Sequence, residues 1–273
     1  MSKKTITVLS VAVGVGAIAI LGLGAFTYSA ISQQNQALDN VNQALLALAE
    51  QQGSPKASID LDSSVERALL AMQAREAEER RASLFAGYEQ AMPDLERDQW
   101  VYGNPEARFT LVEYADTECS YCKRFHSTPK GIVDASNSNV NWEYQHLTVM
   151  GERSVTQAQA AECIGEQLGN QGFWVFLGEI YQRTSSNGQG AGDLRLLATE
   201  VGADTAEFDR CIASGRYIDD IQAATTSARA LGISGTPATM VVDNYTGETQ
   251  LLGGAQPPEA FVQVMRQMMQ RDS

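Results

Sequence analysis

The chain has 273 residues, enough for one domain with appendages or two small ones, and 44% of them are hydrophobic, enough to bury a core. Its formal net charge is −13 and it carries no Lys/Arg-rich run, which excludes a protein that wraps nucleic acid by displacing counterions. With only two His, His126 and His146, a dedicated multi-histidine metal site is excluded too, while four Cys fit two pairs.

Lys3 and Lys4 precede an uncharged stretch whose apolar part covers residues 6–31. About 20 apolar residues cross a bilayer as a helix, whereas a cleaved signal peptide has a core of about 7–15 and a small-x-small cleavage site. The residues around Tyr28 match such a site poorly, so residues 1–31 are expected to form an uncleaved, single-pass signal anchor. The two Lys then stay in the cytoplasm and everything from Ser32 onward is exported, into a compartment where disulfides persist.

Residues 32–93 read as a helical stalk. Ile31, Leu38 and Leu45 are spaced by seven, and Val41 and Leu48 fall between them, as in the seam of a coiled coil. Residues 31–52 are therefore expected to join chains into a homo-oligomer; the alternative is a plain stalk. Gly53-Ser54-Pro55 breaks this helix. A second helix is expected from about residue 61 to residue 91, capped by Asp62 or Ser63 and presenting Val65, Leu69 and Met72 on one short apolar face. Its run from Arg75 to Arg81 is a solvated mixed-charge surface, and Pro93 ends it.

The globular part is expected from Asp94. Gly103-Asn104-Pro105 is a turn, residues 109–115 form a buried strand, and Val140, Trp142 and Tyr144 alternate along a second strand over 139–147. A helical block fills 154–231, in segments 154–168, 172–183, 191–201, 204–213 and 217–231. Strands return at 238–242 and 249–252 around a turn at 244–247, and a last helix covers 259–271. The fold class is α/β: a sheet domain made of 94–153 and 232–273, interrupted by an inserted helical domain, 154–231.

The chemistry lies in Cys119-Ser120-Tyr121-Cys122, directly after the first strand. In a helix this spacing puts both sulfurs on one side of the first turn. Cys119 sits at the helix N-terminus, where unpaired N–H groups and the helix dipole favour a thiolate. Cys122, one turn in and more buried, is placed to attack a mixed disulfide on Cys119, which is the machinery of thiol–disulfide exchange. A haem attachment motif would need His where Lys123 stands, and a zinc ribbon would need a second close pair, whereas Cys163 and Cys211 stand apart. Glu113 lies inside the apolar strand; buried beneath the helix start, its carboxyl would have a raised pKa and could take the proton from Cys122. The plainer reading is an edge Glu facing water. Thr236-Pro237 precedes the returning strand, where Pro cannot donate to a ladder; a cis bond there would leave the Thr236 backbone free to pair with an extended substrate segment.

These residues carry a resemblance. Gly103-Asn104-Pro105-Glu106-Ala107, the Cys-x-x-Cys-Lys run and Gly235-Thr236-Pro237 are similar to the thioredoxin superfamily, and the helical block resembles its DsbA-like branch. That branch holds periplasmic thiol–disulfide oxidoreductases of the DsbA, DsbC, DsbG and ScsC kind. The resemblance covers about residues 95–270 and implies a thioredoxin fold, with Cys119 as nucleophile, Cys122 as resolving thiol, Glu113 as buried acid and Pro237 as cis proline. It also implies that Thr236, Pro237 and Tyr121 bind substrate. Implied partners are exported Cys-containing proteins and a membrane redox partner of the DsbB or DsbD type. Localisation would be the inner (cytoplasmic) membrane with the catalytic domain in the periplasm. Ser120-Tyr121 departs from the Pro-His of the strongly oxidising members and leans towards an isomerase.

Cys163 and Cys211 both fall in the helical block, where they read as a structural disulfide or as two buried free thiols; the exported location favours the disulfide. His126, four residues after Cys122, reads as a surface histidine, the alternative being a thiolate-tuning group or a Cu(I) ligand. Phe173 and Trp174 are expected to pack the helical block. No cofactor and no metal is called for. The expected function is disulfide isomerase or oxidase; the rivals are a Cu(I)-handling module and a scaffold component of an envelope machine.

Overall fold

A computed structural model of the chain describes residues 55–92 and 99–272, with residues 40 and 43 alone before them. The expected anchor, the seam over 31–52 and the break at Pro93 lie outside the described residues. Among the described residues no helix is long and apolar enough to cross a membrane.

The chain divides into two units, residues 1–73 and 74–273. Helix α1, Pro55–Ala86, runs through both. It begins six residues before the expected start because Pro suits a first helical turn, where its missing N–H would have no partner. Among the described side chains of the first unit, Leu69 and Met72 of the expected apolar face are exposed and Val65 is half-buried. The second unit starts well before Asp94. Leu84, Phe85 and Tyr88, inside the segment assigned to the stalk, pack against the core, and Ala91 is fully buried in it.

The sheet has five strands in the order β1-β3-β2-β4-β5. These are β1 Val101–Gly103, β2 Phe109–Ala115, β3 Val140–His146, β4 Ala238–Asp243 and β5 Thr249–Gly253. The central pair β2–β3 is parallel, with Leu111 opposite Trp142 and Glu113 opposite Tyr144. The other three pairs are antiparallel, and Glu113 also faces Thr239 of β4. Between β2 and β3 run two short helices, α2 Ser120–Phe125 and α3 Ser127–Ala135. Neither β1 nor α3 is evident in the sequence pattern: one has three residues, and the other carries Pro129 and Gly131, which blur a helical signal. Gly103 must be glycine: its φ is 102°, and a Cβ would come within 2.7 Å of Val133 Cγ1.

The helical block follows β3. It comprises α4 Glu152–Arg183, α5 Leu194–Glu200, α6 Thr205–Ser214 and α7 Ile218–Ala230. The break expected between residues 168 and 172 falls inside α4 at Gly169, where φ is 70°. Helix α8, Pro258–Arg271, closes the fold. Leu111, Trp142, Phe173, Trp174, Phe176 and Phe261 are fully buried in one continuous core shared by sheet and helices. Phe173 and Trp174 thus serve the joint between helical block and sheet, Phe173 stacked on Trp100 and Trp174 tilted against Trp142.

Cys163 of α4 and Cys211 of α6 form a disulfide, Cα to Cα 5.9 Å, across 48 positions of sequence. Closing a loop of that length removes entropy from the unfolded chain worth about 4 kcal/mol. Replacing both by Ala should cost about that much in urea unfolding; a loss below about 1 kcal/mol would mean that packing, and not the crosslink, holds α6 to α4.

Candidate active site

Strand β2 ends at Ala115, and a buried turn, Asp116–Thr117–Glu118, leads into α2. The turn is closed by the Cys119 N–H, which donates to the Asp116 carbonyl at 3.0 Å. Asp116 secures it further: one carboxylate oxygen accepts from the Glu118 N–H at 2.8 Å, the other from the N–H groups of Val149 and Met150. Cys119 is the N-cap of α2, and its sulfur accepts from the Cys122 N–H at 3.3 Å. As a thiol it donates to the Thr236 carbonyl at 3.4 Å. The Thr236–Pro237 peptide is cis, and Pro237 is buried. The structure therefore brings Cys119, Cys122 and Thr236 together.

The two thiols differ. Cys119 is pulled down to about 6, chiefly by the hydrogen bond with the Cys122 side chain; burial opposes this, and bonds from the Thr236 side chain and the Cys122 and Tyr121 backbone N–H groups add to it. Cys122 is fully buried, and burial first, then the bond to Cys119 and the charge of Glu113, push it well above the ordinary thiol range. One sulfur is ionised at neutral pH and the other holds its proton. Neither is bridged in this structure.

Glu113 is fully buried, and neither carboxyl oxygen has a hydrogen-bond partner. Burial lifts its pKa to about 8; the Trp142 indole pulls the other way and the Cys119 charge adds to the rise. The indole N–H is itself left unpartnered, as is the Thr239 hydroxyl. An edge Glu facing water is thus excluded. Tyr121, between the two cysteines, is 60% exposed, with the Arg124 guanidinium 4.5 Å from its ring centroid.

His126 corrects the expectation of a surface histidine. It is buried where α2 meets α3, its ring lies against Trp142 and Tyr181, and its Nε2 bonds the Tyr88 hydroxyl at 3.1 Å. Burial drives its pKa down to about 3, with the Lys130 charge assisting, so it stays neutral. Among the described residues no group of three His, Cys, Asp or Glu is gathered to hold a metal ion. His146 pairs with Glu162, which also accepts from Trp100.

Two features escape the sequence. Lys123 donates to the Gln182 and Thr184 carbonyls at the end of α4. Glu118 is fully buried, and its carboxylate accepts from Gln157, Thr184 and the Gly190 N–H. A charged residue beside a Cys carries no local sign of burial, because its partners lie up to 72 positions away.

Residues 96–252 match a family model described as Thioredoxin. A curated relative is the Na(+)/H(+) antiporter NhaA 3 of Salinispora tropica, 31% identical over 181 residues, covering 62% of this chain and 26% of that protein. The chain spans about a quarter of the length of the curated relatives it matches. Among solved structures, Pseudomonas aeruginosa DsbA2 is similar with a TM-score of 0.57 and 31% identity, covering 64% of this chain and 96% of that one. A thioredoxin-like oxidoreductase from Silicibacter pomeroyi DSS-3 gives 0.53 and 26%, over 64% and 94%. Matched through more than half its length, with a Cys pair at a helix start and a cis proline against it, the chain belongs to the thioredoxin family, in its DsbA-like branch.

Proposed function

We propose that the chain is a thiol–disulfide oxidoreductase of exported proteins, anchored in the inner membrane with its catalytic unit in the periplasm, and working chiefly as an isomerase. The observation that carries the chemistry is the asymmetry of the pair: a thiolate at Cys119, capped by an N–H, over a protonated, buried Cys122. In the reduced state the Cys119 thiolate attacks a substrate disulfide. A mixed disulfide forms, and the other substrate sulfur leaves as a thiolate. In isomerisation that thiolate, or another in the substrate, attacks the mixed disulfide and frees Cys119 unchanged. When no rearrangement follows, the mixed disulfide has removed the Cys119 charge that helped to hold the proton on Glu113; from the ionised fraction of Glu113, the carboxylate takes the Cys122 proton, and Cys122 attacks Cys119; the substrate leaves reduced by two electrons, and the pair is oxidised. Run in reverse, the same steps oxidise a substrate dithiol.

Lys3, Lys4 and the apolar run over 6–31 support the anchor, and the Cys163–Cys211 disulfide supports an oxidising compartment. A membrane partner of the DsbD type would keep an isomerase reduced, one of the DsbB type would reoxidise an oxidase, and residues 31–52 would join copies. The direction follows from how far the thiolate is stabilised. A thiol near 6 lies between that of a thioredoxin, about 7, and that of a strong oxidant, about 3.5. The equilibrium potential of the full chain in glutathione buffers is therefore expected at about −200 mV. A value near −120 mV would overturn the isomerase reading in favour of an oxidase.

A further inference from the structure

From the bonds around the turn before α2, we infer that Glu118 is a positioning residue for Cys119. It fastens the segment after α4, residues 184–191, to the backbone that carries the nucleophile. This rests on the reading of Cys119 as the attacking thiolate.

The Glu118 N–H goes to Asp116, but its carboxylate and its carbonyl accept only from the segment 184–191 and from Gln157 of α4, which holds that segment in turn. Glu118 Oε1 accepts from the Thr184 hydroxyl at 2.6 Å and from Gln157 Nε2 at 2.8 Å, and its Oε2 accepts from the Gly190 N–H at 3.0 Å. Its carbonyl accepts from the Asn187 N–H at 2.7 Å. Gln157 extends the tie: the same amide nitrogen donates to the Thr117 hydroxyl at 2.8 Å, and its oxygen accepts from the Ala191 N–H at 2.7 Å. On the other side of Cys119, Lys123 donates to the Thr184 carbonyl. The first turn of α2 is thus gripped at both ends by one segment. That segment needs holding, because Ser186 and Asn187 adopt φ of 62° and 54°, where side chains are disfavoured.

The carboxylate is ionised despite its burial. Burial pushes its pKa up, but the bonds from Thr184, Gly190, Gln157 and Gly188 outweigh this and hold it below the usual range. A buried charge satisfied by donors alone cannot be exchanged for an amide, since the amide N–H₂ would meet N–H groups. Once the tie is cut, Cys119 no longer keeps its sulfur in line with the Cys122 N–H, and the thiolate loses support.

Two explanations of Glu118 predict opposite signs. A mere negative charge next to a thiolate disfavours it, so its removal would lower the Cys119 pKa. A positioning group sustains the thiolate, so its removal raises it. The test is the pH dependence of iodoacetamide alkylation in the full chain after mild reduction. Cys122 keeps its proton and Cys163–Cys211 is bridged, so the profile reads Cys119. In Glu118→Gln the inflection should rise by about one unit, and the rate at pH 6 should fall about fivefold. Thr184→Val, which removes one donor to the carboxylate together with the acceptor of the Ser186 N–H in the same segment and leaves no charge unpaired, should shift the profile the same way by about half as much, and it serves if Glu118→Gln does not fold. An unmoved or lowered inflection in both, even with a lower Tm, overturns the inference and leaves Glu118 a structural residue. If the parent chain itself inflects near 8.5, the thiolate reading of Cys119 has failed, and the inference falls with it.

Discussion

Cys119→Ala should lower thiol–disulfide exchange by on the order of a thousandfold or more, with the fold intact. Its sulfur is the one group in the site that is both ionised near neutral pH and held against the Thr236 backbone, where a substrate strand would lie. The change frees the Cys122 and Tyr121 N–H groups, which lie in the first turn of the helix, where backbone N–H groups have no intrahelical partner in any case. Cys122→Ala gives the complementary result. Attack proceeds, but the resolving thiol is missing, so substrate should accumulate as a mixed disulfide, seen as a reducible band on a non-reducing gel. If Cys122→Ala traps substrate and Cys119→Ala traps none, the order of attack is established. The reverse pattern would sink it, since Cys122 would then be the entering nucleophile.

The second large effect belongs to Glu113. Glu113→Gln keeps the shape and removes the proton acceptor, and release of a mixed disulfide at pH 7 should slow by about a hundredfold. The same variant has a signature in stability. In the folded protein this carboxyl holds its proton until about pH 8, while in the unfolded chain it loses it near 4.5. Between those values unfolding releases a proton, so the contribution of Glu113 is fully present below pH 4.5 and is lost as pH rises towards 8. The amide has nothing to lose. Relative to the parent chain, Glu113→Gln should therefore gain stability across that window, by on the order of several kcal/mol. Cys119 titrates in both proteins and largely cancels in the difference. Thermal unfolding at pH 5 and pH 8 measures it, and parallel curves would show that the carboxyl is not the titrating group.

The legible part of this protein is the part with short-range chemistry. Cys119 and Cys122 declare themselves by spacing, Thr236-Pro237 by a proline where a ladder should begin, and the helical block by its periodicity, down to the break at Gly169. Glu113 is legible because a lone acid stands among Leu111, Val112 and Tyr114. What hides is whatever depends on distant partners. Glu118 reads as a surface charge until Thr184 and Gly190 are folded against it. His126 reads as exposed because helical spacing does not reveal that Trp142 and Tyr181 close over it. The segment before Gln99 looked like stalk because its charged run from Arg75 to Arg81 dominates its composition, and the four residues that join the core come just after it.

Those residues decide where the domain can be cut. Tyr88 closes over His126, edges against Tyr102 and fills the space that a side chain at Gly178 would need, so three parts of the second unit share one phenol. A gene fusion or an excised domain that starts at residue 94, where composition changes, would leave a slot open above His126 and the floor of the redox helix unplugged. The inheritable module begins upstream of Leu84. Its first few residues travel with the catalytic half as a stopper, whatever is attached in front of them.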